Sequence, residues 1–171
     1  MESDAIKLPY RNTVKTTNDF VFKKSIANTK KIYKQEDPYK PRGLWYQIKD
    51  SLFKWGEINW GKHIYEIKID TKCICKISNF KQLEEFHNKY GEVFSKKHGW
   101  ETINWKKVTK EYCGIEIINY NKIINSLTKK NSFGKYSWFY LFDFNSGCIW
   151  EVDAVKKVEY WGEITDEEKT N

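Results

Sequence analysis

The sequence predicts a single compact α+β domain with mainly antiparallel sheets and short helices. Its 171 residues are enough to bury one hydrophobic core. Short apolar runs of strand length recur between turn residues, whereas residues 80–90 carry apolar side chains at helical spacing. Aromatic residues make up 17% of the chain and include eight Trp, so the mean hydropathy of -0.76 indicates a charged shell around an aromatic core.

The most aromatic stretch, residues 137–152, reads SWFYLFDFNSGCIWEV and predicts a central hairpin. Residues 137–144 would form one strand and residues 147–153 the other, because two apolar runs flank a short group of turn residues. Gly147 can adopt a positive φ at such a turn without a Cβ clash. The predicted core includes Trp138, Tyr140, Ile149, Leu83, Phe86 and Ile115.

The rest of the chain divides into three predicted parts. Residues 1–17 have little periodicity and predict an extended N-terminal arm, residues 18–161 form the globular domain, and residues 162–171 are an acidic tail. Apolar patterning and capping residues give the positions of the remaining elements. Strands are predicted over residues 42–49, 63–70, 73–77, 113–118 and 156–161, and helices over residues 51–56, 78–90 and 105–112.

Other stretches leave the local structure more open. Residues 19–28 fit either a strand or a helical turn. Residues 93–101 are polar and predict a loop. Residues 119–134 are rich in Asn and Lys and predict a mobile insertion near any site, with one amphipathic turn at YNKIINSL. Within residues 63–70, three isoleucines cannot all share one face of a strand, which predicts a bulge or burial on both faces.

The formal net charge of +7 and the sequence pI near 9.0 are compatible with a nucleic-acid partner, because phosphates are attracted to such a field. Of the 30 basic residues, however, only Arg11 and Arg42 are arginines. Arginine provides the bidentate contact that phosphate sites favour, so an excess of lysine alone is weaker evidence. An AT-rich codon bias is the alternative explanation for this composition.

Four cysteines, Cys73, Cys75, Cys113 and Cys148, show no spacing typical of a metal site, and we expect no bound metal. His87 is predicted to lie at or near the surface and not to act as a ligand. The chain begins without the apolar segment of a signal peptide and contains no membrane-length apolar stretch. We therefore expect a cytoplasmic protein with four reduced thiols and no membrane partner.

Three charged residues stand out as candidate site residues. Glu116 and Asp143 lie inside otherwise apolar stretches, where a carboxylate must be paired or must line a cavity. Arg42 precedes Gly43 at the start of a predicted strand, a suitable place to bind a diphosphate or a carboxylate. Two structural alternatives remain open: Glu116 exposed on an edge strand, and Arg42 in an ion pair with a nearby acid.

Three segments together resemble a group of uncharacterised proteins from phages, bacteria and large DNA viruses. They are KPRGLW at residues 40–45 followed by Trp55, NW and YCGIEI within residues 104–117, and D with SGCIW within residues 143–150. That group resembles the ADP-ribosyltransferase fold, an α+β body of two small sheets around an NAD cleft. The resemblance covers residues 40–150.

The resemblance implies a role for each candidate residue. Arg42 would bind the NAD diphosphate or ribose, Trp45 or Tyr46 would stack on nicotinamide, and Asp143 would line the same cleft. Glu116 would be the catalytic carboxylate, bonded to the ribose and stabilising the positive charge that develops as nicotinamide leaves. The chain departs from the pattern at two places: Gln47 stands where a serine is expected, and Cys113 where an acid is expected.

These observations lead to three functional hypotheses. The first is an NAD-dependent mono-ADP-ribosyltransferase that modifies a protein or a nucleic acid. The second is a non-catalytic nucleotide-binding or RNA-binding module that uses Trp and Tyr stacking with Lys–phosphate contacts. The third is an interaction subunit of a viral complex that binds a protein partner through exposed Trp. Convergence of Arg42 and Glu116 in one pocket would favour the first, and clustered exposed Trp would favour the others.

Overall fold

A computed structural model describes residues 12–16, 34–36, 39–48 and 63–163 of the chain. Most of these residues build a seven-stranded sheet with helices, beside a separate two-stranded sheet. The strands are β1 (Asn12–Thr16), β2 (Leu44–Ile48), β3 (His63–Ile69), β4 (Ile74–Ile77), β5 (Gly91–Ser95), β6 (Trp100–Ile103), β7 (Gly114–Ile117), β8 (Ser146–Ile149) and β9 (Val155–Glu163). The helices are α1 (Phe80–Tyr90), α2 (Trp105–Val108) and α3 (Tyr120–Lys129), with 3-10 helices at Thr71–Cys73, Ser137–Phe142 and Val152–Ala154.

The large sheet has the strand order β4, β7, β8, β2, β1, β3, β9. Every neighbouring pair in it is antiparallel except β4 and β7, which are parallel. Strands β5 and β6 form an antiparallel hairpin of their own. The predicted α+β class, with a mainly antiparallel sheet and short helices, is therefore confirmed.

Two hydrophobic clusters lie in this fold. The first core cluster combines the three helices, the 3-10 helix Ser137–Phe142 and one side of the large sheet, and its centre includes Trp105, Trp138 and Trp150. The second core cluster lies on the opposite side of the sheet. Its buried members are Tyr46, Ile48, Tyr65, Ile67, Ile74, Cys113, Ile149 and Ala154.

The predicted central hairpin is wrong. Residues 137–142 form a 3-10 helix, which buries Trp138, Phe139 and Phe142 while Leu141 remains exposed. The run SWFYLF lacks the alternation of a half-buried strand, and a short continuous apolar run suits a buried helical segment equally well. The helix ends at Asp143, which has a φ of 62°. Strand β8 then pairs with β2 and β7.

The predicted core is confirmed for five of its six residues. Leu83, Phe86 and Ile115 are buried, as are Trp138 and Ile149. The sixth, Tyr140, is half-buried and packs against the first core cluster.

Helix α1 is confirmed, but it begins at Phe80 with Asn79 as its cap, whereas the predicted helix began at residue 78. The Asn79 side chain accepts a hydrogen bond from the backbone N–H of Gln82. Asn104 caps the predicted helix that follows, accepting from the N–H of Lys107. The bulge expected in β3 is also present, since its register against β9 shifts at two places.

Both predicted loops contain regular structure. Residues 93–101 belong to the β5–β6 hairpin, and residues 119–134 contain α3. Helix α3 extends the predicted amphipathic turn YNKIINSL and buries Tyr120, Ile123 and Leu127 at helical spacing. The predictions for residues 19–28 and 51–56 lie outside the described residues.

The two ends of the chain contribute to the sheet. Strand β1 lies within the predicted N-terminal arm and pairs with both β2 and β3. Strand β9 ends at Glu163, just inside the predicted acidic tail.

The prediction of four free thiols is wrong, because Cys73 and Cys113 form a disulfide. The parallel pairing of β4 with β7 brings these two residues, one before each strand, to a Cα–Cα distance of 5.4 Å. Cys75 and Cys148 are free thiols. Burial raises the pKa of Cys75 to about 12 and that of Cys148 well above its ordinary value, so neither is an activated nucleophile.

Among the described residues, no helix is long and apolar enough to cross a membrane. The same residues contain no group of three or more His, Cys, Asp or Glu that could hold a metal ion.

Candidate functional site

Of the predicted cleft residues, the structure brings Tyr46 and Glu116 together. Both lie directly opposite Gly147, Tyr46 from β2 and Glu116 from β7. The Tyr46 hydroxyl donates a hydrogen bond of 2.9 Å to Glu116 Oε1 across the intervening strand β8. Residues paired across neighbouring strands point to the same face of a sheet, so this contact follows from the register.

Gly147 makes this contact possible. A Cβ atom at Gly147 would lie 2.1 Å from Cζ of Tyr46 and 2.3 Å from its hydroxyl oxygen. The Tyr46 ring therefore occupies the space that a side chain of β8 would take. The predicted role of Gly147 as a positive-φ turn residue is wrong, since it lies inside β8 and its φ is not in the left-handed region.

Glu116 is only 2% exposed, so the alternative of a solvated glutamate on an edge strand is wrong. Its Oε2 atom lies 4.0 Å from Nζ of Lys76, the residue paired with it on β4. Oε2 has no hydrogen-bond partner among the described residues. One hydrogen bond and one long ion pair therefore hold this buried carboxylate in place.

The other three predicted residues lie elsewhere. Trp45 points to the opposite face of β2 from Tyr46, and its ring packs 5.2 Å from that of Phe142 in the first core cluster. Asp143 is exposed at the end of a 3-10 helix. Arg42 lies on the surface, where its guanidinium binds Glu36 at 2.7 Å.

The prediction that these five residues converge on one cleft is therefore wrong. Adjacent residues of a strand point to opposite faces, so Trp45 and Tyr46 cannot line the same site on this sheet. For Arg42, the structure shows the ion-pair alternative.

A different group of residues forms an exposed aromatic surface. It lies where the β5–β6 turn meets the loop between α3 and the 3-10 helix Ser137–Phe142. Trp100 is 44% exposed and Phe133 is 56% exposed. We call this group the aromatic patch, and it consists of His98, Trp100, Phe133 and Tyr140.

Short contacts make the patch continuous. The His98 and Trp100 rings lie 5.5 Å apart, and the Phe133 and Tyr140 rings 4.7 Å apart. Between these two pairs, the N–H of Glu101 donates to the carbonyl of Gly134 at 3.3 Å. The two loops are thereby held against each other at Gly134.

A buried polar triad holds the hairpin under the patch. His87 is 2% exposed, not near the surface as predicted, because it lies on the core side of α1 with Leu83 and Phe86. The indole N–H of Trp138 donates to His87 Nδ1 at 3.0 Å, so Nδ1 must be unprotonated. The proton of the neutral ring is then on Nε2, which lies 2.5 Å from Oε2 of Glu101.

Both ring nitrogens of His87 are thus used in structural hydrogen bonds. Burial lowers the pKa of His87, and Lys135 adds to this effect, while Glu101 opposes it. Glu101 directly follows Trp100, so the triad fixes the strand that carries the exposed indole. We conclude that His87 positions the patch and is not available as a base.

The patch was missed in the sequence because its parts are distant along the chain. Trp100 and Phe133 belong to two polar stretches that were predicted to be loops. A signal was nevertheless present: both stretches combine a glycine with a neighbouring aromatic residue and lysine, HGW after two lysines and FGK.

Comparison of the chain with protein-family models, with curated proteins and with solved structures finds no match. The resemblance to ADP-ribosyltransferase-like proteins therefore stays an expectation, and the function has to be inferred from the geometry of the described residues.

Proposed function

We propose that this protein is a nucleic-acid-binding module whose contact surface is the aromatic patch with its surrounding lysines. The observation that carries this proposal is the cluster of exposed rings where two lysine-containing loops meet. Exposed aromatic clusters of this kind distinguish the binding hypotheses from the enzyme hypothesis. A cytoplasmic location, expected from the sequence, is part of the same proposal.

The charge around the patch supports a polyanion as the partner. Residues 117–142 contain four lysines and no acidic residue. The turn between β5 and β6 adds the exposed residues Lys96 and Lys97. A surface of this sign attracts phosphates and raises their local concentration.

Two acidic residues lie beside the patch in sequence. Glu101 follows Trp100 and directs its carboxylate to His87. Asp143 directly follows the 3-10 helix that carries Tyr140 and is exposed. The lysines of the two loops outnumber this exposed acid.

The test is a binding titration with fluorescently labelled RNA and DNA oligonucleotides, repeated at several salt concentrations. Replacing Lys96 and Lys97 with Gln should weaken binding about tenfold at low salt and reduce the slope of log K against log salt by about 1.5. The matched control replaces Lys72 and Lys156, two exposed lysines from the 3-10 helix Thr71–Cys73 and from β9, with Gln. Equal effects of the two double variants, or no binding by the native protein, would contradict the proposal.

An NAD-dependent mono-ADP-ribosyltransferase remains the second candidate, with an ADP-ribosyltransferase-like fold and NAD as its cofactor. The observation in its favour is Glu116, a buried carboxylate with one oxygen that lacks a hydrogen bond. Release of nicotinamide from NAD by the purified protein, lost in Glu116→Gln, would support this candidate. Equal rates in the native protein, the variant and buffer would eliminate it.

A further inference from the structure

The two exposed rings of the patch suggest which form of nucleic acid it binds. Resting on the function proposed above, we propose that Trp100 and Phe133 are two stacking positions for unpaired bases. The site would then select a single-stranded nucleic acid over a duplex.

Each ring is supported by a neighbouring ring. Phe133 packs on Tyr140 with the ring centroids 4.7 Å apart, and Trp100 lies 5.5 Å from His98. A ring that is already held in one position loses little conformational entropy when a base stacks on it. The large exposed fractions, 44% for Trp100 and 56% for Phe133, leave area for such contacts.

The two loops that carry these rings approach each other closely. A Cβ atom at Gly134 would lie 3.1 Å from the carbonyl oxygen of Gly99 and 3.8 Å from Cδ1 of Trp100. Gly134 thus allows the loop that carries Phe133 to lie directly beside the loop that carries Trp100. The hydrogen bond from the N–H of Glu101 to the Gly134 carbonyl closes this contact.

The lysines of the two loops favour a ligand that carries phosphates as well as bases. Lys97 precedes the HGW turn and Lys135 follows Gly134, so Trp100 has a lysine three residues away in sequence and Phe133 has one two residues away. An interface for an apolar protein surface would not require lysines in both loops. A strand with exposed bases and regularly spaced phosphates matches both features.

Stacking distinguishes single strands from duplexes. In a duplex, the faces of the bases are covered by their neighbours, so lysines can reach phosphates but the rings cannot reach a base face. In a single strand, bases can unstack from one another and stack on aromatic side chains. Loss of one such contact typically weakens binding about 5- to 150-fold, which corresponds to about 1–3 kcal/mol.

The experiment measures binding of three probes: a single-stranded oligonucleotide, the duplex of the same sequence, and inorganic polyphosphate, which has charge but no bases. We expect the native protein to bind the single strand more tightly than the duplex. Trp100→Ala and Phe133→Ala should each weaken single-strand binding by at least about fivefold and leave polyphosphate binding unchanged.

Two variants serve as controls. Phe94→Ala removes a ring that is 46% exposed on the same hairpin but packs on Tyr39, outside the patch, and it should bind all three probes like the native protein. Trp100→Phe keeps a stacking surface and should retain most of the affinity. Far-ultraviolet circular dichroism confirms that each variant is folded before its affinity is compared.

The outcomes separate this inference from the proposed function. Equal affinity for single strand, duplex and polyphosphate, with no effect of the two Ala variants, would overturn the stacking inference and leave the lysine-dependent binding intact. Failure of the native protein to bind any probe would overturn both. Loss of single-strand binding in Trp100→Ala but full retention in Phe133→Ala would overturn the assignment of two stacking positions.

Discussion

The Tyr46–Glu116 pair and the aromatic patch differ in the solvent exposure of their polar and aromatic side chains. In the sheet, Glu116, which stood out in the sequence as an acid within an apolar strand, is buried and accepts a hydrogen bond from Tyr46 across Gly147. At the patch, aromatic residues that did not stand out are exposed beside lysines. An acid in an apolar strand thus marks an internal pairing here, whereas the surface suited to binding is built from short loops.

The largest expected effect on stability concerns the disulfide that joins the starts of β4 and β7, the strand that carries Glu116. Reduction of the Cys73–Cys113 disulfide, which closes a loop over a sequence separation of 40, should lower the free energy of unfolding by about 4 kcal/mol. Urea denaturation with and without a reductant measures this difference. Binding of the single-stranded probe to the folded protein should be unaffected, because the disulfide lies outside the patch.

Mass spectrometry provides an independent check of the disulfide. Alkylation of the denatured, unreduced protein should modify two cysteines, Cys75 and Cys148. Modification of all four would show that the bridge is absent, and the effect of the reductant would then be expected to vanish.

The second largest effect on stability is expected from filling the space beside Gly147, which the Tyr46 ring occupies. Gly147→Ala places a Cβ where the Tyr46 ring lies, so either the ring or the strand must move, at a cost of about 3 kcal/mol in stability. The urea midpoint should fall accordingly. Gly134→Ala is the matched control at the patch, where the nearest atom would be 3.1 Å away and a smaller loss is expected. An unchanged midpoint for Gly147→Ala would mean that Tyr46 does not cross β8.

Removal of the tyrosine hydroxyl should have the next largest effect. Tyr46→Phe deletes the hydrogen bond from the tyrosine hydroxyl to Glu116 Oε1. Because Oε2 has no hydrogen-bond partner among the described residues, the buried carboxylate would lose its hydrogen bond from this part of the chain, which should destabilise the fold by about 2 kcal/mol. Glu116→Gln keeps an acceptor for the hydroxyl and should cost less. The ranking is checked by urea denaturation of both variants, and a reversed order would indicate that the charge of Glu116, and not its hydrogen bond, is the stabilising feature.

The pH dependence of stability gives a smaller and more specific effect at the patch. Because burial lowers the folded-state pKa of His87, the unfolded state takes up the proton first as the pH falls. The stability that the neutral ring contributes is therefore present above pH about 6.5 and declines as the pH falls below that value toward the folded-state pKa. The slope of this contribution is at most about 1.4 kcal/mol per pH unit.

Comparison of two variants isolates the contribution of His87 to the pH dependence of stability. His87→Phe should flatten the difference in unfolding free energy between pH 7 and pH 5.5, whereas His98→Asn, at an exposed position, should keep it. Glu101 and Lys135 are the other charged groups that act on His87, so both are left unchanged. A His87→Phe profile identical to that of the native protein would show that this ring does not couple to folding.

The sequence predicted some elements well because their signals are local. Helix α1 follows from apolar residues at helical spacing between Asn79 and Gly91, and the α2 cap follows from Asn104. The 3-10 helix at residues 137–142 was misassigned because a continuous apolar run carries no period. Helix α3 was predicted only as one amphipathic turn because the polar residues around its buried stripe suggested a mobile insertion.

The sites depended on information that a sequence pattern does not contain. Pairing Tyr46 with Glu116 requires the strand order β7, β8, β2, which brings together residues separated by 70 positions. The disulfide similarly requires the parallel β4–β7 pairing. The aromatic patch requires the contact of two loops at Gly134, which no local period encodes.

The smallest effect on stability is expected at the aromatic patch, where it contrasts most clearly with the effect at the Tyr46–Glu116 pair. Trp100→Ala and Phe133→Ala remove exposed rings, so each should change the free energy of unfolding by less than about 0.5 kcal/mol, well below the value for Tyr46→Phe. The same two substitutions should weaken single-strand binding, whereas Tyr46→Phe should leave the affinity of the folded protein unchanged. Urea denaturation and the binding titration, carried out on the same preparations, measure both quantities. Should Trp100→Ala destabilise the fold as strongly as Tyr46→Phe, the indole would be a structural support of the hairpin, and its exposure would have to be explained without a ligand.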